Sequence, residues 1–284
     1  MTLDLYEHLM GGFALVFGLC IGSFLNVCIA RMPENRSVVS PPSACPACGH
    51  SIRPWDNIPV LSWVLLRARC RDCGNPISSL YPTIEILVGL LSWLLWRQAV
   101  PDLGHLTTAN VAGWGLHLSF AAMLVAQAYI DIRHYIVPDE FSIYAAPFGI
   151  LGSAAVHALG YAHAPSWQQS VVGALLGGAT LGAVAAAYWL IRREEGMGLG
   201  DVKLLTMIGA FVGAVPALPI VLMIASITGA GVGLAVLVAR GRGLRSAVPF
   251  GPFLALGALV YLLHGETIVA RFFPGLGAAL EALQ

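Results

Sequence analysis

Eight apolar segments, most of them near the length that crosses a bilayer, restrict how this sequence can fold. They lie at 9–30, 84–96 with its flanks, 111–130, 141–159, 171–191, 204–215, 220–239 and 248–263. A hydrocarbon core about 30 Å thick is spanned by about 20 apolar residues in a helix, whose backbone groups bond within the segment. The composition agrees, because 57% of the residues are hydrophobic and only 11% are charged. The sequence therefore predicts an all-α polytopic membrane protein of about eight transmembrane helices.

Basic residues are distributed unevenly between the two sides of these segments. Lys and Arg favour the cytoplasmic side of a membrane. With the N-terminus outside and eight spans, every Lys and Arg except Arg97 and Arg271 falls on the inner side. This predicts a multi-pass membrane protein with both termini on the outer side. The formal net charge is zero and the basic residues are scattered, so the expected partner surface is the lipid bilayer and no nucleic acid is expected.

The polar segment 31–79 contains two cysteine pairs, each followed by a glycine. The pairs are Cys45 with Cys48 and Cys70 with Cys73. Four thiolates from two such turns close a tetrahedral zinc site, and the glycine permits the turn that points backbone amides at the sulfurs. A closed site has no open position for water, so the zinc is expected to be structural. Two disulfides are the alternative, which a reducing cytoplasm disfavours.

These features divide the chain into three predicted parts. Residues 1–30 are the first transmembrane helix, and residues 31–79 form a small cytoplasmic zinc-ribbon-like domain. Residues 80–284 form a transmembrane core of about seven helices. Within that core, glycines at small-xxx-small spacing predict close packing of helices. The pairs are Gly173 with Gly177, Gly178 with Gly182, and Gly229 with Gly233.

Two aspartates lie at the cytoplasmic ends of apolar segments, where a charged group is costly. Asp131 ends its segment, where the helix dipole disfavours negative charge, so capping does not explain it. Asp201 follows three alternating glycines, which favour a close backbone approach and positive φ angles. These glycines are Gly196, Gly198 and Gly200. The alternative for Asp201 is an N-cap of the next helix, and Asp139, after Pro138, is interpreted as such a cap.

Asp131 and Asp201 share the predicted cytoplasmic side, so they are the candidate catalytic pair. Two facing carboxyl groups cannot both ionise easily, and one of them holds a proton. The ionised member can take a proton from water as that water attacks a scissile carbonyl, while the protonated member polarises the carbonyl. The pair therefore predicts an aspartyl protease built inside the membrane. The alternative is a non-enzymatic zinc-ribbon membrane scaffold or a transporter that uses the acids as an ion path.

Further motifs occur in a fixed order along nearly the whole chain. They are Gly22-Ser23-Phe24-Leu25-Asn26-Val27, Arg31-Met32-Pro33, the run 56–63, Tyr81-Pro82 with Glu85, and the runs 131–139 and 196–203. Together with the cysteine pairs, they resemble the bacterial type IV prepilin peptidases, which are Gly-x-Gly-Asp intramembrane aspartyl proteases. These leader peptidases are also N-methyltransferases, and they process type II secretion pseudopilins as well.

The resemblance implies two activities for one chain. Asp131 and Asp201 would remove the short basic leader of prepilins and pseudopilins, after a Gly and before a Phe. Glu194 and Glu195 could meet that leader. The new N-terminal amine would then be methylated by S-adenosylmethionine, and a peptidase without methyltransferase activity is the alternative. Candidates for the cofactor site, by family analogy only, are Glu34, Asp56, Asn57, Glu85 and Gly89, each with a structural alternative in loop capping or helix packing.

Overall fold

The computed structural model describes residues 2–194, 198–240 and 249–273, and within these ranges the chain is helical, with two isolated β-bridges and no sheet. The helices are α1 (Thr2–Arg31), α2 (Leu61–Leu65), α3 (Leu80–Ala99), α4 (Thr108–His134), α5 (Ala145–Ala158), α6 (Trp167–Arg192), α7 (Leu199–Val212), α8 (Ala217–Arg240) and α9 (Gly251–Phe272). Each of the eight predicted apolar segments has its helix, and the five-residue α2 is additional. The all-α fold predicted from the sequence is therefore confirmed.

Six helical segments in the described part of the chain are long and apolar enough to cross a membrane. They are Tyr6–Glu34, Thr108–His134, Asp139–Ala158, Trp167–Arg192, Ala217–Ala239 and Gly251–Phe272. The chain is thus a multi-pass membrane protein. The other two predicted spans are α3 and α7. Helix α7 has 14 residues, which is about 21 Å at 1.5 Å per residue and shorter than the hydrocarbon core.

The chain divides into two compact units, Met1–Ala126 and Gln127–Gln284. In the first unit, α1 lies against α3 at close range. A Cβ on Gly22 would come within 2.6 Å of the Cα of Glu85. The hydroxyl of Ser92 donates to the carbonyl of Ala14 at 2.6 Å. Lipid supplies no hydrogen-bond partners, so this pairing satisfies a polar group inside the helix pair.

The second unit is built around the contact of α6 with α7. Gly173 and Gly209 face each other so closely that a Cβ on either one would overlap the backbone carbonyl of the other. Gly177 approaches the carbonyl of Leu205 in the same way. The predicted packing role of Gly173 and Gly177 is therefore confirmed. It is wrong for Gly233, because no atom of the described residues lies within 4 Å of its missing Cβ.

Adding one methyl group at Gly209 is expected to destabilise the second unit. The change Gly209→Ala forces α6 and α7 apart, and overpacking of this kind costs about 1–3 kcal/mol. Gly233→Ala is the matched control, because the same methyl group there meets open space. The midpoint of thermal denaturation in detergent should fall for Gly209→Ala and stay level or rise for Gly233→Ala. Equal midpoints for the two variants would contradict the close contact.

Candidate active site and metal centre

The four cysteines of segment 31–79 converge on one point. Their sulfur atoms all lie within 4.8 Å of one another, and the Sγ atoms of Cys45 and Cys73 are 3.8 Å apart. A tetrahedral zinc ion with Zn–S bonds of about 2.3 Å separates its sulfurs by about 3.8 Å. All four cysteines are free thiols, so the disulfide alternative is not what the structure contains. The cluster fits a structural zinc ion.

The two cysteine pairs are held by the same backbone turn. In the first turn, the N–H of Gly49 donates to the carbonyl of Cys45 at 2.9 Å, and in the second the N–H of Gly74 donates to the carbonyl of Cys70 at 2.9 Å. Both glycines have positive φ angles, 73° and 72°. A side chain would be strained in this conformation, so the glycine after each pair has the predicted role.

Backbone amides also point at the sulfur of Cys45. The N–H groups of Cys48 and Ala47 donate to it, and they lower the pKa of the Cys45 thiol to about 7. Zinc is bound by thiolates, so an amide that stabilises the thiolate favours metal binding. The turn thus supplies both the position and the charge state of this ligand.

The second unit brings the two predicted catalytic aspartates near each other. Asp131 lies in α4, one turn before its end, and is only 6% exposed. Asp201 is the third residue of α7 and is half-buried. The two carboxyl groups are within electrostatic range of each other. Residues 70 positions apart in the chain therefore form one acidic site.

Gly251 is a member of this site that sequence reasoning missed. Its backbone N–H, at the start of α9, donates a hydrogen bond to the carboxylate of Asp131. A Cβ at this position would lie 2.5 Å from Oδ2 of Asp131. The N-terminus of a helix favours a negative charge. The run Phe250-Gly251-Pro252 signals a helix start, but nothing in it names the acid that the helix faces.

The start of α7 differs in two ways from its predicted form. The N-cap is Gly198, and Asp201 lies inside the first turn with its N–H bonded to the carbonyl of Gly198 at 3.2 Å. The alternative that Asp201 is the N-cap is therefore wrong. Gly198 has a φ of −67°, so the expected positive φ is not found there, and Gly196 lies outside the described residues. A Cβ on Gly200 would meet the side chain of Val137 at 2.9 Å, so the predicted close approach is confirmed at Gly200.

Asp139 does not cap a helix, contrary to its interpretation from the sequence. A short 3-10 helix, Asp139–Phe141, begins there, but its N-cap is Pro138 and no side chain caps it. The carboxylate of Asp139 instead accepts from Nζ of Lys203 at 2.7 Å. Lys203 lies two residues after Asp201, so the pair joins the chain that follows α4 to the first turn of α7.

The five cofactor candidates are mostly engaged by other protein groups. Glu34 pairs with Arg36 at 2.9 Å on the surface. Asp56 accepts from Arg71 at 2.6 Å, which lowers the pKa of Asp56 below its usual value. Glu85 is buried and accepts from the N–H of Val60 at 2.7 Å.

The other two cofactor candidates are in different surroundings. Asn57 is exposed. A Cβ on Gly89 would meet Cδ2 of Leu19 at 2.8 Å, which is the helix-packing alternative for this glycine. Glu85 and the loop that contains Asp56 and Asn57 are brought together through Val60. Gly89 lies one helical turn after Glu85 on the side of α3 that faces α1.

The two acids that are expected to meet a basic leader, Glu194 and Glu195, follow α6. Glu194 is exposed. Glu195 lies outside the described residues, and so do the basic residues Arg242 and Arg245. An exposed carboxylate at the end of a membrane helix is accessible to a cationic segment.

Two protein-family models match the chain. The bacterial peptidase A24 N-terminal domain matches residues 16–99, which include the four cysteines. The type IV leader peptidase family matches residues 118–234, which include both aspartates. The two matches define the class of this helical membrane protein. It is that of the bacterial leader peptidases, with the four-cysteine cluster in the N-terminal match and the two aspartates in the second.

Similar proteins cover most of the chain. A prepilin leader peptidase/N-methyltransferase of Aeromonas hydrophila is 36% identical over 282 residues, which are 90% of this chain and 92% of that protein. One from Pseudomonas aeruginosa is 33% identical and is covered to 93%, as is this chain. One from Myxococcus xanthus is 40% identical over 84% of this chain and 66% of that protein. No solved structure matches. The chain belongs to the type IV leader peptidase family.

Proposed function

We propose that this chain is a membrane aspartyl endopeptidase that removes the leader of prepilins and pseudopilins and then N-methylates the new terminus. The observation that carries the peptidase proposal is the pair of the buried Asp131 and the half-buried Asp201, held on α4 and α7 of one unit. The relatives that carry both activities in their names support the second step. An ion path is not favoured, because both acids lie at helix ends within one unit and form a single acidic site.

The peptidase step needs only this pair and a water molecule. One carboxylate takes a proton from the water as its oxygen attacks the scissile carbonyl, and the protonated partner donates a hydrogen bond to the carbonyl oxygen. The tetrahedral intermediate then collapses, and the proton reaches the leaving amine. The N–H of Gly251 holds the carboxylate of Asp131 in place. No covalent intermediate with the enzyme forms.

The proposed substrate class comes from the names of the relatives, and the positions of these acids are compatible with it. A pilin precursor with an apolar helix can stay in lipid while its basic leader lies on the cytoplasmic side, near the exposed Glu194. Cleavage after Gly and before Phe then occurs at the level of Asp131 and Asp201. The proposed orientation has the segment 31–79 in the cytoplasm and both termini in the periplasm of a bacterial inner membrane, in line with the distribution of Lys and Arg.

The methyl-transfer step is assigned to the part of the chain around segment 31–79. S-adenosylmethionine supplies the methyl group, and the loop containing Asp56 and Asn57, together with Glu85, would hold it, with Glu34 and Gly89 as further candidates. Zinc at the four cysteines would organise this region and take no part in bond making. The three-part division into residues 1–30, 31–79 and 80–284 is the corresponding functional proposal.

The proposed function is tested with a synthetic prepilin-like substrate and the purified full chain in lipid vesicles. Mass spectrometry should show cleavage between the Gly and the Phe, and then a gain of one methyl group on the new terminus when S-adenosylmethionine is added. A precursor that stays intact in the presence of zinc-loaded protein contradicts the peptidase proposal. Cleavage without methylation contradicts the second activity alone.

Adding a methyl group at Gly251 should slow cleavage without unfolding the chain. The Cβ of Gly251→Ala would lie 2.5 Å from Oδ2 of Asp131, so the carboxylate must move, and displacements near 1 Å can cost about 100-fold in rate. The cleavage rate of Gly251→Ala should therefore fall by about 10- to 100-fold. Gly231→Ala, which meets open space on α8, is the control and should keep the native rate. Native activity in Gly251→Ala would show that this contact does not position Asp131.

A further inference from the structure

An apolar surface lies on and just before α2. Its members, called here the α2 surface, are Trp55, Ile58, Leu61, Val64 and Leu65. Trp55 is 61% exposed and Leu65 is 71% exposed, and the other three are also exposed. Leu61, Val64 and Leu65 are spaced three and four residues apart, so they share one face of the helix. A contiguous exposed apolar patch of this kind marks an interaction site.

The opposite side of the same segment is fixed to the protein. The hydroxyl of Ser62, a residue only 7% exposed, donates to the carbonyl of Trp55 at 2.9 Å and accepts from the N–H of Ile58 at 3.0 Å. The ring nitrogen of Trp63 donates to the carbonyl of Ile77 at 3.1 Å. Because these contacts hold one side of α2, the α2 surface faces outward as a unit.

A hydrogen bond sets the position of this segment along a membrane helix. The N–H of Val60 donates to Oε2 of Glu85 at 2.7 Å. Glu85 is buried, lies five residues after Leu80 at the start of α3, and also accepts from the hydroxyl of Ser23. Five residues of helix are about 7.5 Å. The backbone of Val60 therefore lies beside α3, about one and a half turns from the start of that helix.

Val60 is held there against its own backbone preference. Its φ is 62° and its ψ is −50°, a combination that is costly for a β-branched residue. The contact with the buried carboxylate of Glu85 accounts for the retention of this conformation. The hydrogen bond of Val60 to Glu85 thus fixes the position of this loop along α3.

The surroundings at that depth are apolar. The large exposed side chains of α3 from Leu80 to Leu90 are Tyr81, Ile86, Leu87 and Leu90. On a membrane helix these side chains face lipid, with tyrosine typical of the headgroup level. The exposed Thr83 donates its hydroxyl to the carbonyl of Ser79. The hydrogen bond of Val60 to Glu85 ties the α2 segment to this part of α3, on the side of α3 that packs against α1. Two exposed basic residues, Arg67 and Arg69, follow α2 and match the negative charge of anionic headgroups.

We propose that the α2 surface inserts into the bilayer interface and seats the four-cysteine region on anionic phospholipid. Amphipathic segments at a membrane surface place their apolar face about 5–10 Å into the headgroup region. The contact of Val60 with Glu85 holds the five-residue α2 at a comparable distance, about 7.5 Å, along α3 from its first residue. The zinc-binding region is then a membrane-surface module with a fixed orientation.

The insertion is tested by quenching of Trp55 fluorescence. The full chain is placed in vesicles of phosphatidylglycerol and phosphatidylcholine, with and without bromine on the acyl chains. The emission of Trp55 is obtained as the difference between the native protein and Trp55→Phe. This difference should be at least twofold smaller in the brominated vesicles than in the unbrominated ones. Trp63→Phe is the matched control, because Trp63 faces the protein, and its part of the emission should be quenched less. Equal Trp55 emission in both vesicles overturns the proposal.

A second measurement keeps the test decisive if Trp55→Phe fails to fold. A photo-crosslinking residue at Leu65 should give several-fold more lipid adducts than one at Ala47, an exposed position of the first cysteine turn. Bound zinc is measured in both proteins as the check on folding. A prepilin-like peptide is present in a parallel sample. Adducts of position 65 with that peptide instead of lipid would assign the α2 surface to the substrate and overturn the proposal.

Discussion

The variants Asp131→Asn and Asp201→Asn are each expected to lose leader-peptide cleavage, by a factor of about 100 to 10,000 or more. An amide can neither take a proton from water nor hold one for the carbonyl oxygen. Because the two acids act as one unit, the double variant should be about as slow as either single variant. The measurement is the rate of prepilin cleavage by the full chain in vesicles under single-turnover conditions.

The control for this prediction is another acid of the same unit. Asp139 pairs with Lys203 at 2.7 Å on a half-exposed surface, and such pairs contribute about 1 kcal/mol or less. Asp139→Asn should therefore keep most of the cleavage rate. Methyl transfer to an already cleaved pilin should survive in Asp131→Asn. A folded, zinc-loaded Asp131→Asn or Asp201→Asn protein that cleaves at the native rate would refute the two-aspartate site.

The change Cys45→Ser is expected to release the metal and unfold segment 31–79. Structural zinc binding contributes about 10–16 kcal/mol to folding in small zinc domains. The sheet-free segment has only the short α2, two 3-10 turns and two isolated β-bridges as secondary structure. The native chain should contain one zinc per molecule, and Cys45→Ser should contain far less. Limited proteolysis should then cut within 31–79 while the membrane helices stay protected.

Cys20 offers a matched control for the metal site. It lies in α1, is exposed there, and is not one of the four clustered cysteines. Cys20→Ser should keep the full zinc content and the native proteolysis pattern. Full zinc content in Cys45→Ser would show that the four cysteines do not hold the ion.

Several parts of this protein could be predicted from the sequence because they depend on local composition. Eight apolar segments had to become helices, since lipid satisfies no backbone group. The glycine after each cysteine pair could be interpreted because the turn is local, and Gly49 and Gly74 have the positive φ angles it needs. The acidic pair could be singled out because a carboxylate in an apolar segment is costly unless it has a role.

Other parts depended on contacts between residues far apart in the chain. The hydrogen bond of Gly251 to Asp131 joins residues 120 positions apart, and Lys203 reaches Asp139 across 64 positions. No periodicity or motif spacing in the sequence indicates such pairs, because each depends on how α4, α7 and α9 are placed in the fold. The N-cap interpretation of Asp139 was wrong for this reason. Capping rules consider only residues next to the helix start, whereas the partner of Asp139 is Lys203, far along the chain.

The sequence by itself predicted a membrane environment and an all-α fold, which the structure confirms, and it named four candidate metal ligands and a candidate pair of catalytic aspartates. It predicted about eight membrane spans, whereas six helical segments of the described residues are long and apolar enough to cross a membrane. The tertiary structure decided what surrounds those residues. It placed the start of α9 against Asp131, Val137 against Gly200, and Val60 beside Glu85. The physical reason is that hydropathy and turn chemistry act within a few residues, whereas close packing and buried hydrogen bonds depend on which helices meet.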